Sequence, residues 1–315
     1  MNTYLDSLSQ VALYSAIALY VAALISYLLA ATARLSRPAP RAHVDAAQAS
    51  SVGSVTTLTR PAVARARSVP QRAGYALTVI GVVFHLAALG LRAAAAGRIP
   101  WANMYEFSVT GVLFLILLFL VVARRVRYVT VLGVAVLGGA TLLMGAAAAL
   151  FYVPAIPLPP ALQSAWLIIH VLVALLATAF FSLSCLASIA QLWSARTVPN
   201  TPTTGRLRRL LPPPEDLERF TYRLIIIGFI LWTFTLIAGA IWAQRAWGRF
   251  WGWDVKEVWT FIIWVIYAAY IHAKATRGWS GRAAAWLAII GYTAVIFNFG
   301  IVNVFFKGLH SYSGL

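Results

Sequence analysis

The chain has 315 residues, 61% of them hydrophobic, and a mean hydropathy of +0.81, which excludes an ordinary soluble domain and makes lipid the solvent for most of its surface. Charged residues make up only 10%, yet 25 basic side chains stand against 8 acidic ones, a net charge of +17. The positive residues lie in short connectors between apolar runs, so they read as topology charges and not as a nucleic-acid surface, and the single Cys185 excludes a disulfide framework, a thiol pair or a cysteine zinc site.

Apolar runs of about 18 or more residues mark helices that cross a membrane, and the sequence predicts eight, an all-α polytopic fold. The first is near 9–31, in an N-terminal unit 1–32. It reads as a retained helix: it lacks a basic n-region, carries Asp6, and exceeds the length of a leader's apolar core, although Ala30–Ala33 resembles a cleavage site. Residues 33–73 form an Arg-rich connector with little apolar periodicity, expected to be disordered. The remainder, 74–315, is expected to be one seven-helix domain.

Its first span, 74–95, carries His85, and Pro100–Phe107 then leads into 105–123 with Asn103, Tyr105 and Glu106. The spans 128–151 and 165–193 flank a loop at Pro154–Pro160, and His170 lies about one and a half turns into the second of them. A connector at 194–221 holds Pro199, Pro202 and Pro212–Pro214, followed by Glu215, Asp216 and Glu218. Span 222–243 runs into a Trp-rich loop, 244–257. The last two spans are 257–275, with His272, and 284–306, followed by a tail that holds His310. No internal repeat of the kind found in duplicated transporters is visible.

Lys and Arg set the orientation. The connectors after spans 1, 3, 5 and 7 hold 19 of the 25 positive residues, among them Arg34, Arg65, Arg124, Arg206 and Arg282. The other side has Arg92, Arg98, Arg245, Arg249, Lys256 and Lys307. The rule places the Arg-rich connectors in the cytoplasm and both termini on the outer face of the inner (plasma) membrane. His170, His310 and the Trp-rich loop then share that outer face.

The loop reads Trp247-Gly-Arg249-Phe-Trp251-Gly-Trp253-Asp254-Val-Lys256-Glu257-Val-Trp259. Trp favours the headgroup region, so an interfacial aromatic belt is one reading. The other is an aromatic shelf for a large, flat, apolar ligand: Trp supplies area, Gly permits close approach, and Arg245, Arg249 or Lys256 meets carboxylates on the ligand's rim. Asp254 and Glu257 are read as capping or orienting the start of span 7.

A planar ligand with an apolar body, two carboxylates and a need for two axial nitrogens is heme. A lone histidine in a helix is usually a satisfied polar residue. Within a bilayer, however, ionisable groups are costly and tend to be functional, which favours His170 as a ligand. His310, in a tail, is even between the two readings, and His85 is even between packing residue and ligand. His272 lies near the cytoplasmic end of span 7, roughly 22 Å below Glu257. Axial nitrogens on one iron are about 4 Å apart, whereas His85 and His272 differ in depth by roughly 10 Å or more. They make a poor pair, which leaves His272 open to a ligand from another chain.

At these residues the chain resembles the CcsA/ResC family of cytochrome c assembly proteins, also named CcsB, within a heme-handling group that includes CcmC and CcmF. The resemblance rests on the loop Trp247–Glu257 with its WGWD core (the WWD domain), on Gln163–Val171, on Tyr267–His272, on Gly308-Leu-His310-Ser-Tyr-Ser-Gly, and on Pro100–Glu106. It covers span 2 to the C-terminus, and eight spans fit CcsA better than CcmC or CcmF. Residues 33–73 match no motif of the family.

The resemblance implies that heme b is the ligand and substrate, carried to the outer face for covalent attachment to apocytochrome c in a system II synthase. It makes His170 and His310 the outer iron ligands, with Trp247, Trp251, Trp253, Asp254 and Arg249 around the porphyrin. It makes His272 the ligand of an inner heme whose second histidine is supplied by a ResB-type partner. That partner also helps present the Cys-x-x-Cys-His segment of apocytochrome c. Asn103, Tyr105, Glu106, Glu257 and His85 are secondary candidates, and Glu106 and Asp254 are read equally as proton relays and as structural acids. Two rivals remain: a b-type cytochrome carrying electrons from quinol, which usually pairs histidines at matched depth, and a small-solute transporter, which leaves the outer histidines and clustered Trp unexplained.

Overall fold

The computed structural model describes residues 2–36, 68–126, 128–155, 163–196, 210–276, 278–306 and 308–310. Regular structure among them is helical throughout: α1 (Asn2–Leu35), α2 (Val69–Ala96), α3 (Met104–Ala123), α4 (Val129–Leu150), α5 (Ala165–Arg196), α6 (Pro214–Trp247), α7 (Val255–Thr276) and α8 (Arg282–Phe297). A π-helical turn, Asn298–Val302, and a short helical turn, Asn303–Phe305, continue α8. Eight helices are long and apolar enough to cross a membrane, one for each predicted span, so the protein is a multi-pass membrane protein.

The helices overrun the apolar stretches that announce them. α1 and α6 have 34 residues each, more than the roughly 20 that a bilayer core requires. α6 begins at Pro214 because proline suits a first helical position and Glu215 and Asp216 favour the positive end of the helix dipole. The predicted connector 194–221 is thereby shortened at both ends, and so is 33–73, of which 37–67 lies outside the described residues along with most of the Pro154–Pro160 loop. The Trp-rich loop narrows likewise. α6 reaches Trp247 and is closed by Gly248 at φ 73°, whose N–H bonds to the Gln244 carbonyl, and α7 starts at Val255.

Two apolar cores divide the bundle. One joins α1–α4 around Tyr20, Tyr27, Ile116, Phe119, Leu137 and Met144. The other joins α5–α8, where the Phe181 and Tyr267 rings stack 3.8 Å apart beside Trp232 and Ile263. Buried charges tie the first core together at the end of the bundle that carries the Trp-rich loop. Arg92 Nη1 lies 2.7 Å from Asp6 Oδ1, Arg92 Nε lies 3.0 Å from Glu106 Oε1, and Arg98 Nη1 lies 2.7 Å from Glu106 Oε2. Arg92 also donates to the Val153 carbonyl, and the Tyr152 hydroxyl to Asp6. The starts of α1 and α3 and the ends of α2 and α4 are thus pinned to one another.

Candidate functional site

A cavity of about 230 Å³ opens between α3, α5, α6, α7 and α8. Its wall combines His170, Trp242, Trp251, Lys256, Asn298 and His310 with Asn103 and Trp101 from the turn before α3. On α5 it follows His170, Ala174, Thr178 and Ser182, a spacing of four that keeps one face of the helix toward it. At its deeper end Ser182 donates to the Tyr292 hydroxyl at 2.9 Å.

Helix packing fixes the tautomer of His170. The Thr235 carbonyl, 3.0 Å away, can only accept, so Nδ1 donates and Nε2 carries the lone pair. The ring lies nearly parallel to Trp242, 6.0 Å between centroids at 14°. Gly239 makes room for it, since a Cβ there would fall 2.8 Å from His170 Cε1 and Nδ1.

His310 is oriented from the loop. Its Nδ1 lies 2.6 Å from Asp254 Oδ2, and its ring meets Trp247 and Trp242 edge to face at 4.9 and 5.9 Å. The hydrogen bond with His310 outweighs the opposing effect of burial and holds the Asp254 carboxyl below the usual carboxylate range. Asp254 therefore stays ionised at neutral pH, which favours donation from Nδ1 and leaves the lone pair of a neutral His310 on Nε2. Both histidines rest on Trp242, a residue outside the predicted loop.

The loop is shaped by Glu257, whose Oε2 accepts from the backbone N–H of Gly252 at 2.8 Å and Asp254 at 3.1 Å. This is the returning half of a capping box, the first-turn Glu257 accepting from the N–H of Asp254 before the helix. Trp253, held between those two bonds, sits at φ 60°, a conformation that costs a non-glycine residue of order 1–3 kcal/mol. Its side chain is 76% exposed and meets Trp251 edge to face at 5.9 Å. The Arg249 guanidinium lies across Gly252, where a Cβ would fall 0.5 Å from Nη1.

The structure therefore brings His170, His310, Trp251, Glu257 and Asn103 to one cavity and sets Trp247 and Asp254 behind His310. Trp253 and Arg249 do not line it. Among the three cations considered for a ligand's carboxylates, Lys256 is in the wall, whereas Arg245 lies over the Trp166 ring at 5.8 Å. Asn103 caps α3 by accepting from the Glu106 N–H at 2.8 Å. Glu106 is occupied by Arg92, Arg98 and the Ala102 N–H, and Tyr105 lies beneath Arg92 with 5.2 Å from ring centroid to guanidinium.

His85 is fully buried between α1, α2 and α3. Nε2 donates to the Val109 carbonyl at 3.0 Å and Nδ1 accepts from the Tyr20 hydroxyl at 3.1 Å, so both ring nitrogens are engaged. His272 is exposed on α7, about 25 Å along the helix from Val255, and is not part of the cavity wall.

Several wall residues carry no mark in the sequence. Trp242 is one of 12 tryptophans and stands five residues before the loop's first. Asn298 and Thr235 are uncharged polar residues within apolar spans, a weak signal for membrane depth. Two buried polar atoms of the wall have no hydrogen-bond partner, Trp242 Nε1 and Asn298 Oδ1. Buried polar atoms without a partner are uncommon in a packed interior.

Eight apolar helices among the described residues, several of them bordering a cavity walled by histidine, tryptophan and lysine, define the class: a multi-pass membrane protein with a cavity in its bundle. The chain belongs to the cytochrome c assembly protein family, whose profile matches residues 101–310. It is 40% identical over 173 residues to the cytochrome c biogenesis protein CcsA of Prochlorococcus marinus (strain MIT 9215), covering 49% of this chain and 56% of that one. The chain thus spans little more than half the length of that relative. To CcsA of Synechococcus sp. (strain JA-2-3B'a(2-13)) it is 35% identical over 274 residues, 69% of this chain and 78% of the relative. The fold is shared with the cytochrome c heme lyase CcmF, with a TM-score of 0.64 at 17% identity, over 98% of this chain and 50% of that one.

Proposed function

We propose that the cavity holds heme b between His170 and His310 at the outer face of the inner membrane and presents it for covalent attachment to apocytochrome c. The observation that carries this reading is the shared cavity of the two histidines, each with Nδ1 committed to a fixed acceptor, Thr235 O or Asp254 Oδ2. That arrangement suits two neutral imidazoles offering Nε2 to one iron. Trp242, Trp251 and Trp101 in the wall suit the body of a porphyrin. The family and the CcsA relatives support a cytochrome c biogenesis role.

In this reading the chain is the membrane subunit of a system II synthase and acts with a ResB-type partner. Thioether formation adds a thiol S–H across a vinyl C=C, so no group leaves. The chain's share is to fix position, which is worth much of such a barrier. Both thiols come from the Cys-x-x-Cys-His segment of the substrate, since the sole cysteine here, Cys185, is buried. His272, exposed on α7, is available to share an inner heme with a histidine of the partner.

A visible absorption spectrum of the purified protein, co-expressed with its partner and supplied with heme, tests the reading. A Soret band with a six-coordinate, bis-imidazole signature is expected. Its absence sinks the reading. Replacing His170 or His310 by Ala should abolish cytochrome c maturation, with rescue by free imidazole, and replacing His272 should lower the heme content of the complex. Reversible redox cycling with no effect on maturation would favour an electron-carrying cytochrome instead.

A further inference from the structure

We propose that Lys256 and the Trp242 indole N–H form a carboxylate subsite in the cavity, which takes a propionate of the porphyrin and selects for the free acid. The inference rests on the heme reading above and goes beyond it by assigning the residues that read the ligand's rim.

Charge pairing across the bundle singles out Lys256. Arg92 is paired with Asp6 and Glu106, Arg98 with Glu106, and Lys274 with Glu218. Lys256, in the cavity wall, has no carboxylate within ion-pair distance among the described residues. Its Nζ donates to two neutral acceptors, Asn303 Oδ1 at 2.5 Å and the Asn298 carbonyl at 3.3 Å. Lys256 is half-buried, and a cation partly withdrawn from water without a counter-ion is unfavourable. An anionic group entering the cavity supplies the missing partner, and an ammonium with three donors retains one for it.

Trp242 supplies the second, independent observation. The neighbouring indoles are satisfied: Trp232 Nε1 donates to the Thr260 carbonyl at 3.1 Å and Trp264 Nε1 to Thr233 Oγ1 at 2.9 Å. Trp242 is 1% exposed and its Nε1 has no acceptor among the described residues. A buried N–H without a partner is rare and calls for an acceptor from outside the fold. Asn298, on the π-helical turn, adds an amide with an unpartnered oxygen, and an amide flip turns the same position into a donor. π-Turns of this kind occur frequently at functional sites. Glu257, also in the wall, forms no ion pair with Lys256 among the described residues, and its Oε2 is turned to the Gly252 and Asp254 N–H groups. Arg249, the nearest alternative by sequence, lies over Gly252 and outside the wall.

The test is a titration of the full chain in detergent with hemin and, separately, with hemin dimethyl ester, whose propionates carry no charge. Affinity is read from the Soret band. The wild type should bind the diacid about tenfold more tightly than the ester, the scale of one charge-assisted hydrogen bond. Lys256→Met should erase that preference while the ester complex keeps its bis-imidazole spectrum, and Lys256→Arg should retain most of it. Trp242→Phe, which keeps the ring and loses the donor, should reduce the preference by a few-fold. Should Lys256→Met not yield a monodisperse protein, Lys256→Gln, which can still bond to Asn303, takes its place with the same expectation. A wild type that binds both porphyrins equally, or a Lys256→Met or Lys256→Gln variant that discriminates as the wild type does, overturns the subsite and leaves the heme reading standing. Failure of the wild type to bind either porphyrin overturns both.

Discussion

Asp254 and His310, separated by 56 positions in sequence, meet with 2.6 Å between Oδ2 and Nδ1. The contact joins the loop before α7 to the residues after α8, and places the imidazole against Trp247 and Trp242. Asp254 does not cap α7 through its side chain alone; Glu257 returns to the loop's N–H groups and leaves the Asp254 carboxylate for the histidine.

Asp254→Asn keeps the shape of that contact and removes its charge. Second partners of metal-ligating histidines are typically worth 10–100-fold in affinity. The variant should bind hemin about tenfold more weakly with its fold intact. An unchanged Soret titration would show that the carboxylate does not support the ligand.

Gly239→Ala addresses the other histidine. The added methyl would sit 2.8 Å from the His170 ring, on the side of the Thr235 hydrogen bond. The ring must shift, so the bis-imidazole spectrum should become mixed or five-coordinate, and cytochrome c maturation should fall while the protein remains monodisperse. A spectrum like the wild type's would mean that α5 and α6 separate freely enough to absorb the methyl.

Glu106→Gln tests the charge network beside the site. The Glu106 side chain is fully buried and bonded to two guanidinium groups. Breaking a buried pair from one side costs about 3–5 kcal/mol, so thermal unfolding in detergent should begin at a markedly lower temperature. The Pro100–Asn103 turn, which puts Trp101 and Asn103 into the cavity wall, should loosen with it. A stability equal to the wild type's would assign Glu106 a role other than structural.

His85→Phe separates packing from ligation for the buried histidine. Removing the ring nitrogens strands the Tyr20 hydroxyl, at about 1–3 kcal/mol for an unsatisfied group, and takes a second donor from the Val109 carbonyl, which keeps its place in the α3 ladder. The variant should unfold at a lower temperature and bind heme as the wild type does. Loss of heme with unchanged stability would make His85 a ligand.

Much of this molecule is written locally. Each span is an uninterrupted apolar run, and each became one helix, because burying backbone polar groups in lipid leaves the helix as the economical conformation. The Trp-rich loop and the two histidines were recognisable because tryptophan, glycine and charge rarely cluster so closely. The roles within that cluster were not recognisable. Trp247, Trp251 and Trp253 are alike in sequence, yet the first supports His310, the second lines the cavity and the third is exposed. Trp242, which touches both histidines, lies inside an apolar span where a tryptophan attracts no notice.

By itself, then, the sequence determined the solvent, the number of spans and the cluster of tryptophan, glycine and charge before α7, since these depend on composition and on residues near one another in the chain. Tertiary structure decided which nitrogen each histidine keeps available, which of three cations enters the cavity, and that His85 is enclosed by its own partners. Those outcomes depend on contacts between helices far apart in sequence, such as His170 with Thr235 and Asp254 with His310. No local pattern encodes them, because they follow from how the packed surfaces of α5, α6, α7 and α8 meet.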